Sequence, residues 1–223
     1  MPKILKYQSD SITVNYDIKK CIHAAECVRG LPAVFDPEQR PWIAPSKATA
    51  DEIADTIHLC PSGALTYVRH DGGAAEKSPS SNSISLAADG PLYVTGNIGI
   101  IDHEGSQIAA GTRFALCRCG HSSNKPFCDN SHKKHDFSAG TELGEGGIKP
   151  VEDFTDGEEL VITTSENGPL LFNGPMHIQN SDGSDARSGM KSALCRCGQS
   201  DNKPFCTGAH RTAGFVGLNV AEN

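Results

Sequence analysis

The sequence predicts a small α+β domain over residues 1–70, then a mainly-β tandem module: a β-sandwich with internal pseudo-twofold symmetry. Two observations carry this. Residues 117–132 return 78 positions later as 195–210, and the correspondence runs well past them: Ile84 with Ile162, Gly90-Pro91-Leu92 with Gly168-Pro169-Leu170, Phe137 with Phe215. A repeat of that extent is a repeated fold, not a repeated loop. Residues 1–70 instead set one helix-periodic stretch between two that alternate like strands.

Taken in order, residues 11–16 alternate as a strand. A short helix is expected from Val28 to Leu31, and a strand over Arg40–Ala44. Residues 50–59 put Ile53, Ala54 and Ile57 on one helical face, with Asp51 and Glu52 in the first turn. Another strand follows at 65–68. Residues 71–82 read as a flexible linker by composition. Next come a first unit at 83–140, a connector at 141–157, a second unit at 158–216 and a tail at 217–223. Strands are expected at 83–87, 91–95, 98–102 and 112–117, and again at 160–164, 169–173, 176–180 and 190–195, each unit closing on a loop and a brief helix. Units this short bury little alone, so the two are expected to pack together as an internal pseudo-dimer within a monomer.

Both units carry the same donors. Cys117, Cys119, Cys128 and His132 in the first become Cys195, Cys197, Cys206 and His210 in the second. Three thiols and an imidazole on so short a loop point to one metal centre per copy. Zinc accepts that donor set, but its loops usually carry C-x2-C or wider knuckles. Close C-x-C thiols suit one iron of a cluster, with Cys128 and His132, or Cys206 and His210, on the second iron. The residue after the third cysteine, Asp129 or Thr207, is expected to cap a short helix carrying the histidine, its positive end toward the centre.

The pattern resembles the CDGSH iron–sulfur family (mitoNEET-like proteins), over roughly residues 82–216. Ser122, Pro126, Cys128, Asp129, Ser131 and His132 fit its signature in the first copy; Ser200, Pro204, Cys206, Gly208 and His210 fit in the second. Asn130, Thr207 and Ala209 depart from it. The resemblance implies one 2Fe–2S cluster per copy, with Ser122, Asp129, Ser200 and Thr207 as cofactor-binding positions beside the ligands. Hydrogen bonds at such positions tune potential and lability.

Cys21, Cys27 and Cys60-Pro61 overlay the first, third and distant ligands of a bacterial ferredoxin loop, with Ala24 at the middle position. This stretch resembles the divergent single-cluster ferredoxin domain, which implies a ferredoxin-like fold. Three thiolates suit a 3Fe–4S cluster, or a 4Fe–4S cluster with one non-cysteine ligand. The template aims His23 elsewhere, and His23 and His58 read as solvated.

Hydrophobic residues make up 37% of the chain and aromatics 6%, with 23 glycines and 13 prolines, so the cores are modest and a metal must help hold them. A net charge of −7 argues against nucleic acid or anionic membrane as partner. No apolar leader or membrane span is evident, which reads as cytoplasmic, and nine cysteines there mean metal rather than disulfides. Arg118, Arg196, Lys125 and Lys203 recur beside the donors, to screen their charge, dock a partner or simply be solvated. His121, His135 and His177 lack counterparts and read as surface residues. Without a Walker loop, nucleophile elbow or haem motif, no enzyme is expected. Electron transfer to a redox partner protein is the leading expectation. Cluster storage or transfer to an apo-protein acceptor is the alternative, and a structural zinc protein a third.

Overall fold

A computed structural model describes residues 4–149 and 155–217. Residues 1–3, part of the connector and all of the expected tail beyond Gly217 lie outside the described residues. The chain divides into two compact units, 1–77 and 78–223.

In the first unit β1 (Ile4–Gln8), β2 (Ile12–Asp17) and β3 (Leu65–Arg69) form an antiparallel sheet in the order β1-β2-β3. Between β2 and β3 in sequence come α1 (Glu26–Gly30) and α2 (Ala50–His58). At the start of α2 the Thr49 side chain accepts from the Glu52 N–H, and the Glu52 carboxylate accepts from the Thr49 N–H, a reciprocal cap. The helix buries Ile53, Ala54 and Ile57 in a core shared with Ile12, Val14, Phe35, Ile43 and Leu65. The strand expected at 40–44 does not form; only an isolated bridge joins Phe35 and Ile43. Pro41 lacks the N–H a ladder needs, and Trp42 meets the edge of Tyr16 at 4.9 Å instead. Strand β1 is an addition to the sequence reading.

The second unit holds β4 (Ser83–Leu86), β5 (Leu92–Ile101), β6 (Gln107–Leu116), β7 (Leu160–Thr164), β8 (Leu170–Gln179) and β9 (Ala186–Leu194). The short strands expected at 91–95 and 98–102 are one strand, β5, with a register shift between Thr95 and Ile98; β8 repeats this between Asn173 and Met176. Within each copy the strands pair antiparallel, β4-β5-β6 and β7-β8-β9. Across copies β4 runs parallel to β8, and β7 parallel to β5. Ile84 opposes Ile178, and Ile162 opposes Ile100, the same register after a shift of 78.

These pairings correct the expected sandwich. Strands β4, β5, β7 and β8 close hydrogen bonds in a ring, so the sheet is barrel-like rather than two stacked layers. Each copy's first strand is sealed on both edges by taking the other copy's hairpin as a neighbour. Ile84, Val94, Ile100, Ile162, Phe172 and Ile178 belong to one core, none more than 2% exposed. Asn82, placed by composition in the linker, belongs to this unit and is fully buried. Its amide donates to the Glu158 and Pro175 carbonyls and its oxygen accepts from the Asn97 N–H. Leu143 and Ile148 of the connector join the same core.

Candidate metal centres

Each donor loop of the second unit is a strand extension folded back on itself. In the first, the Cys117 N–H donates to Pro126 and the Cys128 N–H to Ala115, both at 2.8 Å. In the second, Cys195 donates to Pro204 at 2.8 Å and Cys206 to Ala193 at 2.9 Å. Ser122 and Ser200, both buried, brace these loops. Their hydroxyls donate to the carbonyls of Phe127 and Phe205, each at 2.6 Å, and accept from the N–H of Asn124 and Asn202.

The donors gather in pairs. Cys117 and Cys119 Sγ are 3.8 Å apart, and Cys128 Sγ lies 3.5 Å from His132 Nδ1. The second copy repeats this at 3.6 Å for Cys195–Cys197 and 3.5 Å for Cys206–His210. Among the described residues no three or more His, Cys, Asp or Glu side chains converge as a single metal ion requires. Two irons, each taking one pair, fit this donor set.

The thiols are primed unevenly. A hydrogen bond from Cys119 lowers Cys117 to about 6, against its burial, and Cys119 is pushed up in return. Cys195 falls to about 5 by the same contact with Cys197. Each C-x-C pair therefore offers one thiolate near neutral pH and holds a shared proton that metal binding must displace. Burial raises Cys128 to about 11. Burial, with Lys133 nearby, lowers His132 and favours the neutral imidazole that a metal needs.

The two C-x-C loops meet back to back. Cys119 and Cys197 form an antiparallel bridge. Gly120 and Gly198 have φ of 85° and 80°, and a Cβ on either would sit 2.5 Å from the carbonyl oxygen of Cys197 or Cys119. Glycine is required there both for the left-handed backbone and for the close approach.

Arg118 and Arg196 correct the solvated reading: each is 1% exposed. Arg118 donates to the carbonyls of Ala87, Gly90, Ala139 and Gly140; Arg196 donates to Ser165 and Gly168. Phe137 and Phe215 each stand 5.5 Å from one of these guanidinium groups, which explains their match in the repeat. Burial lowers both arginines; Asp89 and then Cys195 of the other copy oppose it at Arg118, and Cys117 of the other copy and then Cys197 at Arg196. Repetition of Arg between two donors was the available sequence signal. Lys125 and Lys203 are part-buried and donate to the carbonyls of Ser122 and Ser200.

The copies differ around the outer donors. The helix expected after the third cysteine is one 3₁₀ turn, Ser131–Lys133, in the first copy and an irregular turn in the second. Asn130, not Asp129, is the residue before that turn, and it makes no side-chain cap. Asp129 instead ties the loop. Its carboxylate accepts from Ser123 N and Oγ, both at 2.8 Å, and from Ser131 N at 3.0 Å. Thr207 is exposed and makes no side-chain hydrogen bond among the described residues. Cys128 and His132 are 3% and 8% exposed, whereas Cys206 and His210 are part-exposed and border a broad opening of ≈770 Å³. His121 and His135 stack at 4.1 Å, and His177 is held between Ser188 at 2.7 Å and Asp156 at 3.1 Å.

In the first unit Cys21, Cys27 and Cys60 line one small cavity of ≈30 Å³ with Tyr16, His23 and Ala24. Burial raises Cys27 to about 11, and Cys60 and Cys21 add to the rise. Tyr16 is raised by burial and by a hydrogen bond with Cys21, a neighbour that the sequence did not reveal. Ser62 Oγ lies 3.7 Å from Cys60 Sγ. His23, expected to point elsewhere, borders the cavity with Nδ1 3.9 Å from Cys21 Sγ. His58 is exposed, as expected, and also reaches the Tyr67 hydroxyl at 3.3 Å.

A chain with one three-cysteine cavity and two loops of paired sulfur and nitrogen donors offers donors that iron–sulfur clusters accept, and comparison with known proteins gives the family. Residues 7–70 match the model described as "Divergent 4Fe-4S mono-cluster". Residues 89–133 and 167–211 match "Iron-binding zinc finger CDGSH type". The chain belongs to the iron–sulfur proteins that carry a divergent mono-cluster domain followed by two CDGSH domains in tandem. Its N-terminal part is similar to "Uncharacterized protein YjdI" of Escherichia coli K12 and of Escherichia coli O157:H7. Each is 38% identical over 64 residues, covering 29% of this chain and 83% of the relative. No solved structure matches the chain. Among the described residues no helix is long and apolar enough to cross a membrane.

Proposed function

We propose that this chain is a multi-cluster electron carrier. Cys117, Cys119, Cys128 and His132 would hold one 2Fe–2S cluster, and Cys195, Cys197, Cys206 and His210 a second. Cys21, Cys27 and Cys60 would hold a larger cluster in a ferredoxin-like first unit. Each cluster supplies a one-electron couple when bound. The protein places the donors, excludes water from the inner pair and sets the charge around it.

The observation that carries this reading is the backbone bridge between Cys119 and Cys197. It joins the inner ligands of both loops in one rigid body, with a buried guanidinium on either side. The matching registers of β4 with β8 and β7 with β5 support a pseudo-twofold axis, with the tandem module acting as its own dimer. Nine free cysteines suit a reducing, cytoplasmic setting, and a net charge of −7 suits a redox partner protein rather than nucleic acid or anionic membrane.

One observation favours a second reading, delivery of a cluster to an apo-protein: the opening at Cys206 and His210. The test is to mix reduced holo-protein with an oxidised, iron-loaded acceptor ferredoxin, and separately with its apo-form. A carrier passes electrons to the first and keeps its iron against the second. Iron and sulfide moving to the apo-form would replace the carrier reading with the donor one. Zinc without sulfide in the isolated protein would overturn both.

A further inference from the structure

The first unit has three cysteines around one cavity and a middle ligand position occupied by Ala24, which cannot bind iron. A four-iron cluster there needs one more donor. Four other polar side chains reach the cavity: Tyr16, His23, Glu26 and Ser62. The Glu26 carboxylate is taken by Arg29 at 2.6 Å. The Ser62 hydroxyl, 3% exposed, accepts from the Ala64 N–H at 3.4 Å. Tyr16 is buried against Cys21 and Trp42 and holds its proton. His23 has no comparable commitment. Its nearest polar neighbour is Cys21 Sγ at 3.9 Å, and its outer face is open to solvent, so the ring is free to turn about its side-chain bonds.

The backbone points the same way. His23 and Ala25 have φ of 52° and 62°, the left-handed region, without being glycine. Each costs on the order of 1 kcal/mol, and such strain tends to cluster where a ligand is gripped. Both residues lie on the stretch between Cys21 and Cys27 that borders the cavity, with His23 on its rim.

We propose that His23 supplies the fourth ligand to a 4Fe–4S cluster on Cys21, Cys27 and Cys60. This rests on the reading of the first unit as a cluster domain. A neutral imidazole leaves that centre one negative charge short of an all-thiolate one, as in other histidine-ligated centres.

The test uses the full chain, loaded anaerobically with iron and sulfide. Oxidised 2Fe–2S and 4Fe–4S clusters are diamagnetic, whereas an oxidised 3Fe–4S cluster gives an electron paramagnetic resonance signal, so the first unit can be read in the presence of the other two. Wild type should be silent, with about eight irons per chain. His23→Ala should gain the three-iron signal and lose about one iron, and His23→Cys should restore both the silence and the count. If His23→Ala instead loses the whole cluster, retention in His23→Cys supports ligation and loss in both overturns it. A three-iron signal in wild type, or a silent His23→Ala with full iron, would also overturn it while leaving the cluster domain standing. An iron count unchanged by Cys60→Ser would remove the cluster domain itself, and the proposal with it.

Discussion

Replacing Asp129 by Thr gives the first loop the residue its twin already has. The carboxylate accepts three hydrogen bonds, from Ser123 N, Ser123 Oγ and Ser131 N, at 2.8–3.0 Å. At about 0.5–1 kcal/mol net for each in a part-solvated site, they hold the loop by about 1.5–3 kcal/mol. The acidity gives a second measure. Burial alone would raise this carboxyl, but the bonds from Ser131 and Ser123 outweigh it and bring it from 3.8 to about 2. That corresponds to about 2.4 kcal/mol, cut by solvent screening to about 1–2. Taking the screened value, the lower of the two, sets the loss at about 1–2 kcal/mol, a factor of about 5–30 in local opening. Because the folded value is depressed, this stabilisation is complete above about pH 4 and fades as pH falls toward about 2. An assay at pH 5–7 therefore keeps Asp129 charged throughout, so that histidine protonation drives cluster loss while the carboxylate's own titration does not enter.

The assay is decay of visible absorbance in mild acid. Wild type should lose its two CDGSH clusters in separate phases, the second copy first, since Cys206 and His210 are the more exposed outer donors. Asp129→Thr should accelerate the slow phase about 5–30-fold and leave the fast one alone. The reverse exchange needs two changes, Thr207→Asp and Asp201→Ser, because Asp201 stands where the first copy has Ser123; it should slow the fast phase. An unchanged slow phase in Asp129→Thr would refute the claim that this carboxylate holds the outer donors.

His132→Cys and His210→Cys together should lower the potentials of both 2Fe–2S centres by adding a negative charge to each, and make them more resistant to acid; redox titration and the same absorbance decay check this. Gly198→Ala should cost more than the ~1 kcal/mol of left-handed strain, because its Cβ meets the Cys119 carbonyl at 2.5 Å; calorimetry should show a clear loss of melting temperature in the tandem module. Thr49→Ala removes the reciprocal cap of α2 and should cost about 1 kcal/mol, read as a lower denaturant midpoint of the first unit.

The sequence by itself determined the donors and the repeat. Cysteine and histidine chemistry at fixed spacing is local, so the loops at 117–132 and 195–210 were legible residue by residue, and so were the three cysteines of the first unit. Helix α2 was legible too, because its capping residues and apolar face lie within ten positions of each other. Period-two alternation located most strands of the second unit but could not name their partners: β4 bonding β8 across some ninety residues is a nonlocal choice, decided by which edges must be sealed. The burial of Arg118 and Arg196 was hidden for a related reason. A charged side chain reads as solvated until the carbonyls that enclose it are known, and Arg118 takes its carbonyls from two separate segments. His23 read as solvated and is exposed, but only the folded chain shows it also bordering the three-cysteine cavity, on a loop with two left-handed residues. The unequal exposure of the two centres was likewise visible only in three dimensions: Cys128 and His132 are buried, Cys206 and His210 part-exposed.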